Sequence, residues 1–332
     1  FTLAFLLIFL PYTVFHEAIS WMIQGVLWIS RQSYGMLTIG HVPFLWVLLF
    51  YFMAGLWIWK KNGQNRHIRI SLAYVIMIIL IWIPMARRKS LAFLDVGQGD
   101  CFVADTKSGA IIFDGGSSSE DQVGRYRILP YMKYLGYQKI QIAVISHMDI
   151  DHYSGIKELL EMGKIKYLGL PEIPKDETMK KIIGIAKKRG TTIFYLSRGR
   201  QITTKDGSLK VLHPQKNSQM EKNAASLVMQ GKILGYRVLL TGDVEKEGEE
   251  ELLSEELERA DILKAAHHGS KNSTSNEFLQ KVQPKQTVIS CGKQNRYGHP
   301  HLETIHRLQT YRTKIYRTDR SGAIIFFKRR DG

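Results

Sequence analysis

Four side chains able to bind a metal ion, His147, Asp149, Asp151 and His152, fall within six residues of the stretch Ser146-His147-Met148-Asp149-Ile150-Asp151-His152-Tyr153-Ser154-Gly155. The apolar run at 141–145 before them reads as a buried strand, and 155–162 after them as the start of a helix. A strand-to-helix turn of this kind can converge its side chains on one point. Two more apolar strands end in the same residue types: 237–240 runs into Thr241-Gly242-Asp243, and 262–266 into His267-His268-Gly269-Ser270. Their glycines let the backbone pass close to whatever is bound. Mixed imidazole and carboxylate ligation suits Zn²⁺, Mn²⁺ or Fe and is not a thiolate structural site. Six or more such ligands exceed what one tetrahedral ion takes. Two ions about 3.5–4 Å apart, sharing a carboxylate and a hydroxide, use them all, and that arrangement suits in-line displacement at a phosphate.

The elements that must position these residues begin at residue 91. Short β-rich runs at 91–96, 101–104 and 109–113, punctuated by Gly97-Gln98-Gly99-Asp100 and Asp114-Gly115-Gly116, predict a meander of antiparallel strands. Helical patterns follow at 125–135, 156–162 and 178–189, and strands at 193–196, 209–212, 226–229 and 236–241, before a second such round that runs to 324–327. The expected fold is a mixed, two-sheet α/β domain with no internal repeat and no low-complexity segment. Residues 245–258 hold eight glutamates around Leu252, Leu253 and Leu257. They read as a solvated helix face, whose acids are not ligand candidates.

Composition changes sharply near Lys89-Ser90, dividing the chain into 1–89 and 90–332. The first part carries eight Lys/Arg and one acid, Glu17, a net charge of +7 that leaves +9 of the total +16 on the second part. The second part is long enough to bury its own core. The first reads as membrane: 42–59 is an uncharged run of eighteen residues, and a second span at about 69–85 contains sixteen uncharged residues from Ile70 to Met85. Trp57, Trp59 and Trp82 suit an interfacial belt. Phe15, Ile19, Met22, Val26 and Ile29 recur at helical spacing opposite Glu17, Ser20 and Gln24, the pattern of an amphipathic interfacial segment or of a helix packed on a partner. Residues 1–10 lack a basic n-region and read as the end of a severed transmembrane helix, which makes the chain the C-terminal portion of a longer polytopic protein. Four Lys/Arg in 60–69 against three in 87–89 place that loop in the cytoplasm and the following domain outside, by a margin of one charge. Cys101 and Cys291 lack metal-finger spacing and read as buried small hydrophobes, with a disulfide between them as the alternative.

At the ligand-bearing residues the second part resembles the metallo-β-lactamase fold, whose first motif is His-x-His-x-Asp-His; Asp149 here stands where that motif has its second His. The same departure is typical of the ComEC family of competence DNA-uptake membrane proteins. Their C-terminal domain is similar also at Asp95-Val96-Gly97-Gln98-Gly99-Asp100, Asp114-Gly115-Gly116, Leu240-Thr241-Gly242-Asp243, Leu263-Lys264-Ala265-Ala266-His267-His268-Gly269-Ser270, Asn295-Arg296-Tyr297-Gly298-His299-Pro300 and Arg317-Thr318-Asp319. The resemblance covers about 91–327 in the same order. It implies an αββα sandwich preceded by transmembrane helices that end a channel-forming part. By position, it implies that His147 and Asp149 hold a first metal, that Asp151 and His152 hold a second, and that Asp243 bridges the two. One of His267 and His268 closes the second site, His267 being nearer the strand end. The fold's usual third-motif His is missing: Asn223 lies in its expected place, as a weak ligand or a holder of water, with His213 as the alternative. The cofactors implied are two divalent ions, Mn²⁺ or Zn²⁺, or a single ion.

Coordination lowers the pKa of bound water from 15.7 to about 7, which supplies a nucleophile that Asp151 would orient. Lys264, Ser270 and His299 are candidates for stabilising the phosphorane or protonating the leaving oxygen, each with a competing use in strand, turn or cap. The positive charge favours a polyanion, with Arg312, Arg317 and Arg320 in a late basic cluster and Lys180, Lys181, Lys187, Lys188 and Arg189 in an earlier one. Arg296-Tyr297, Tyr311-Arg312 and Tyr316-Arg317 offer rings for stacking single-stranded bases. The implied protein is a membrane-tethered, metal-dependent phosphodiesterase that degrades the non-transported DNA strand during uptake, with single-stranded DNA, the membrane and other uptake components as partners. The rivals are a non-catalytic module that guides DNA to the channel and a phosphodiesterase acting on phosphorylated cell-envelope polymers.

Overall fold

The computed structural model describes Gly40–Val42, the helix Phe44–Trp59, residues 88–220 and 223–329, and the isolated positions Glu17, Ser20, Trp21, Ile23, Gln24, Ser71 and Val75. The amphipathic segment at 15–29, the second apolar span and the basic loop at 60–69 lie outside the described residues apart from those positions. The first apolar run forms Phe44–Trp59, sixteen residues without a charge. No helix among the described residues is long and apolar enough to cross a membrane.

The strands are β1 (Ser90–Phe93), β2 (Phe102–Thr106), β3 (Gly109–Phe113), β4 (Ile140–Val144), β5 (Ile165–Pro171), β6 (Thr192–Leu196) and β7 (Gln201–Thr204), followed by β8 (Gly207–His213), β9 (Val228–Ile233), β10 (Tyr236–Leu240), β11 (Ile262–Lys264), β12 (Gln286–Ile289), β13 (Lys314–Arg317) and β14 (Ile324–Phe327). They form two seven-stranded sheets, ordered β14-β1-β2-β3-β4-β5-β6 and β13-β12-β11-β10-β9-β8-β7. In each sheet three antiparallel pairings give way to three parallel ones, the change coming at β3 in one and at β10 in the other. Phe93, Phe102, Phe113, Val238 and Leu240 pack between the sheets. The outer face of the first sheet is covered by the helical segments Gly124–Ile128, Leu129–Tyr134, Ile150–Glu161 and Glu177–Lys188, and that of the second by Lys246–Leu253, Asn276–Val282 and Leu302–Thr310. β4 (IQIAV) and β10 (YRVLL) are covered on both faces toward their carboxyl ends, which is why they finish in the apolar runs Ile142-Ala143-Val144 and Val238-Leu239-Leu240.

Local structure departs from the sequence reading where close packing overrides a local signal. The helix expected to begin after the ligand turn begins at Ile150, with Asp149 extended at the N-cap (φ −97°, ψ 146°), so Asp151 and His152 lie in its first turn. Gly155, the expected helix start, lies inside this helix, where a Cβ would meet Gly115 O at 2.7 Å and Gly124 N at 3.0 Å. The helix expected at 125–135 is a π-turn, Gly124–Ile128, followed by Leu129–Tyr134 with Pro130 in its first turn. β5 and β7 were not expected, and the strand expected at 226–229 is β9, two residues later. The glutamate-rich segment is not wholly solvated: Glu249 is buried and accepts hydrogen bonds from the N–H groups of Thr274 and Ser275. Cys101 and Cys291 are both buried free thiols.

Gly116 lies against the first turn of Ile150–Glu161, where a Cβ would come within 2.5 Å of Ile150 O and 2.6 Å of His152 N. Gly116→Ala is expected to destabilise the domain by about 1–3 kcal/mol in urea unfolding. Gly184→Ala, in the open helix Glu177–Lys188 with nothing near its added Cβ, should be neutral or stabilising. Equal midpoints for the two variants would contradict the close approach.

Candidate metal centre

The carboxyl ends of β3, β4, β10 and β11 meet at one place. β3 ends in Asp114, whose carboxylate accepts hydrogen bonds from Ser146 N (2.7 Å), Ser146 Oγ (2.8 Å) and His152 Nδ1 (2.9 Å). A carboxylate accepts here, so His152 carries its proton on Nδ1 and turns the Nε2 lone pair toward Asp243 Oδ2, 3.2 Å away. The same logic fixes His268. Its Nδ1 faces the Ser290 carbonyl at 2.9 Å, which leaves Nε2 toward Asp243 Oδ2 at 3.3 Å and Asp151 Oδ2 at 3.4 Å. His147 Nδ1 lies 3.0 Å from Ser146 Oγ, which is already donating to Asp114, so its Nε2 points at Asp149 Oδ2, 3.7 Å away.

These three Nε2 atoms are buried without a hydrogen-bond partner. Each presents a lone pair to a carboxylate oxygen, an arrangement that needs a cation or a proton between them. Asp100, His152, Asp243 and His268 offer ligand atoms all within 4.8 Å of one another. Imidazoles whose second nitrogen is tied to a carboxylate or carbonyl are the usual form of a metal-binding histidine, so this donor set fits a divalent ion of the Zn²⁺, Mn²⁺ or Fe class. His147 and Asp149 adjoin the group, the His147 and His152 rings being 4.2 Å apart.

Electrostatics follow from the geometry. Burial opposes protonation of His268, but the Asp243 and Asp100 carboxylates carry it up to about 10. His152 rises well above the ordinary imidazole value as Asp243 and Asp114 outweigh its burial. Burial likewise opposes ionisation of Asp151, yet the His268 imidazole 3.4 Å away and the charge of His152 hold it at about 2. Lys264 is buried beneath the group: its Nζ contacts Asp100 Oδ2, lies 3.3 Å from Asp243 Oδ1 and donates to Gly242 O over 2.8 Å. Burial would lower its pKa, but the carboxylates of Asp100 and Asp243 raise it above the usual lysine value.

Residues 94–293 match the model of the metallo-beta-lactamase superfamily. The chain is 34% identical over 294 residues to ComE operon protein 3 of Bacillus subtilis, a match covering 82% of this chain and 38% of that protein. It is 30% identical over 248 residues to competence protein ComA of Neisseria gonorrhoeae, covering 72% and 32%. With recombination protein 2 of Haemophilus influenzae it shares 27% identity over 268 residues, covering 80% and 32%. The chain belongs to the ComEC family, within the metallo-β-lactamase superfamily. It spans about a third of the length of the curated relatives it matches.

The expected ligands of this ComEC-family domain do not all take equal places. A pocket of about 260 Å³ opens beside the buried group, lined by Asp149, Asp151, Asp243, His267, His268 and His299 among others. Of the histidine pair, the structure brings His268 into the group. His267 faces the pocket, with Nδ1 3.0 Å from Glu245 Oε1 and Nε2 4.0 Å from Asp243 Oδ2. Both have positive φ, 48° and 53°, and these successive left-handed residues send the two rings in different directions. Asn223 donates to Glu245 Oε1 over 3.3 Å, while His213 is buried with Nε2 2.7 Å from Ala224 O and Nδ1 3.3 Å from Glu251 Oε2, so neither joins the four-residue group.

Lys264 does not line the pocket, its ammonium being committed to Asp100, Asp243 and Gly242. Ser270 is a turn residue whose Oγ accepts from Asn272 N. His299 does line the pocket, but burial and the neighbouring His268 and His267 push it down to about 4, which leaves it neutral at pH 7. Arg317 is paired through both Nε and Nη2 with Asp319 (2.9 and 2.7 Å), and neither it, Arg312 nor Arg320 lines the pocket. Asp100, Asp114 and Glu245 were not singled out as site residues from sequence. Asp100 and Asp114 each stand beside a glycine after a strand, which was the available signal.

Two outcomes are expected. Metal binding must displace the protons of His152 and His268, so divalent-ion affinity should rise with pH and still be rising near about pH 9, with proton release detected by calorimetry in buffers of different ionisation enthalpy. A pH-independent affinity would contradict this. Asp114→Asn, nearly isosteric, should weaken metal affinity about 10–100-fold by releasing the His152 tautomer.

Proposed function

We propose that the chain is a membrane-anchored, metal-dependent phosphodiesterase that cleaves DNA during uptake and degrades the strand that is not transported. The observation that carries this reading is the convergence of three buried, unpartnered imidazole Nε2 atoms and their facing carboxylates beside an open pocket. The family relationship to competence proteins and the net +9 of residues 90–332 support DNA as the polyanion. The uncharged helix Phe44–Trp59 and the charge balance of the adjoining loops support anchorage in the bacterial membrane with the hydrolase domain extracytoplasmic, beside other parts of an uptake machinery.

His152, His268, Asp243 and Asp100 would hold a divalent metal, with His147 and Asp149 as the adjoining site, and the ion would supply Lewis acidity at the phosphate and acidify a bound water. Asp151 lines the pocket, stays ionised and is placed to orient an attacking water by accepting a hydrogen bond from it. His267, oriented by Glu245, faces the pocket beside Asp243 and is placed to protonate the leaving oxygen. Lys264 keeps Asp100 and Asp243 together from below. His299 contributes as a neutral ring of the pocket wall.

One observation favours a second reading, a DNA-guiding module without catalysis: Asn223 stands at the third-motif position, and the adjoining site has only His147 and Asp149 from the first motif. The test is cleavage of 5′- and 3′-labelled single- and double-stranded DNA by the full chain with Mn²⁺, Zn²⁺ or chelator. Products should depend on metal, and Asp151→Asn and Asp243→Asn should lose at least about a hundredfold in rate while still binding DNA. Bound but uncut DNA under every metal, unaffected by either substitution, would establish the guiding module instead.

A further inference from the structure

The pocket beside the metal group is walled mainly by carboxylates, imidazoles and polar groups, yet two of its lining side chains are exposed hydrophobics, Tyr297 at 43% and Ile150 at 54%. Tyr297 is the outer member of a stack of rings. His299 lies against His268 with centroids 6.2 Å apart and planes 30° apart, and Tyr297 lies against His299 at 5.7 Å and 22°. The Arg296 guanidinium covers the Tyr297 ring, its Cζ 4.9 Å from the centroid, and donates to Tyr297 Oη over 2.7 Å.

The loop that presents this ring is braced. Asn295 Nδ2 donates to Gly292 O (2.9 Å) and His299 O (2.6 Å), its Oδ1 accepts from His299 N (2.9 Å), and Gly292 N donates to Gln98 Oε1 (3.1 Å) on the pocket wall. A flat, half-exposed ring on a braced loop at the mouth of a polar pocket suits a planar partner, because little loop entropy is lost on binding and the Arg296 guanidinium is the group that must move aside. The other Arg/Tyr pairs are occupied by the fold. Tyr311 Oη donates to Asn276 O, and Tyr316 packs edge-on against Phe326.

We propose that Tyr297, with Arg296, is a stacking platform for one nucleobase of single-stranded DNA, next to the phosphate held in the pocket. The substrate class rests on the phosphodiesterase reading above. The base takes the outer face of Tyr297 that Arg296 covers, freeing the guanidinium for a neighbouring phosphate. Every base has a π face to offer, so the platform is indifferent to sequence, whereas a phosphorylated envelope polymer has no planar group to place there.

The test is a binding cycle with the full chain, in chelator, using a short fluorescent single-stranded DNA and versions with one abasic position moved along it. Tyr297→Ala should weaken binding about tenfold and Tyr297→Trp should restore it. One abasic position should cost the unsubstituted protein a similar factor and cost Tyr297→Ala nothing further. Unchanged affinity in Tyr297→Ala, or equal abasic losses in both proteins at every position, would overturn the platform. Hydrolysis of bis(p-nitrophenyl) phosphate by the unsubstituted protein, a phosphodiester without bases, is measured alongside. Failure there with every metal strikes the phosphodiesterase reading alone, and the binding cycle still decides the platform.

Discussion

Asp243 is buried among the imidazoles of His152 and His268 and the ammonium of Lys264, and the rest of the site is arranged around that carboxylate. Its burial opposes ionisation, but the three facing groups hold its pKa well below the ordinary carboxylate value. Negative oxygens and imidazole lone pairs packed this closely in a dry setting repel unless a cation is shared among them. Lys264 supplies one fixed positive charge from beneath, and the orphaned Nε2 atoms call for another from the pocket side. Asp114 and the Ser290 carbonyl then decide which nitrogen of each imidazole faces inward, so groups at some remove from the pocket set its chemistry.

This concentration of charge is held by backbone that comes unusually close. A Cβ at Gly99 would lie 2.2 Å from Gly116 O, and one at Gly116 would meet the first turn of Ile150–Glu161. The loops after β1 and β3 thus clasp the turn carrying Asp151 and His152, with Asp100 N donating to Asp151 O and Gly115 N to His152 O. Across the site, Leu227 N donates to Ser146 O, joining the loop before β9 to the loop after β4. The two sheets are therefore locked together at the ends that bear the ligands, and a preformed ligand set costs a metal little reorganisation.

Beneath the pocket the same economy applies to groups with no direct part in the chemistry. The acids of the helix Lys246–Leu253 looked uniform in sequence but divide by position. Glu249 caps the turn at Thr274 and Ser275, Glu251 pairs with Arg198 and His213, and Glu245, just before the helix, lies 3.0 Å from His267 Nδ1. Arg317, which as a basic residue in a basic cluster looked suited to nucleic acid, is instead neutralised by Asp319 two residues later.

Much of the domain was legible from the chain itself. The local turn after β4 brings His147, Asp149, Asp151 and His152 together within six residues, and apolar strands covered on both faces announce themselves as hydrophobic runs ending at Asp243 and at His267-His268. Tertiary structure alone decided the rest. Asp100 and Asp114 join His152 and Asp243 from loops distant in sequence, by a convergence that no local spacing encodes. Which of His267 and His268 turns inward depends on two left-handed backbone residues, and Lys264 is a buried counter-charge because the end of β11 lies beneath two carboxylates. Residue type and periodicity report a side chain's chemistry and the face it takes; what that side chain touches is set by the packing of two sheets whose contributing strands lie far apart in the chain.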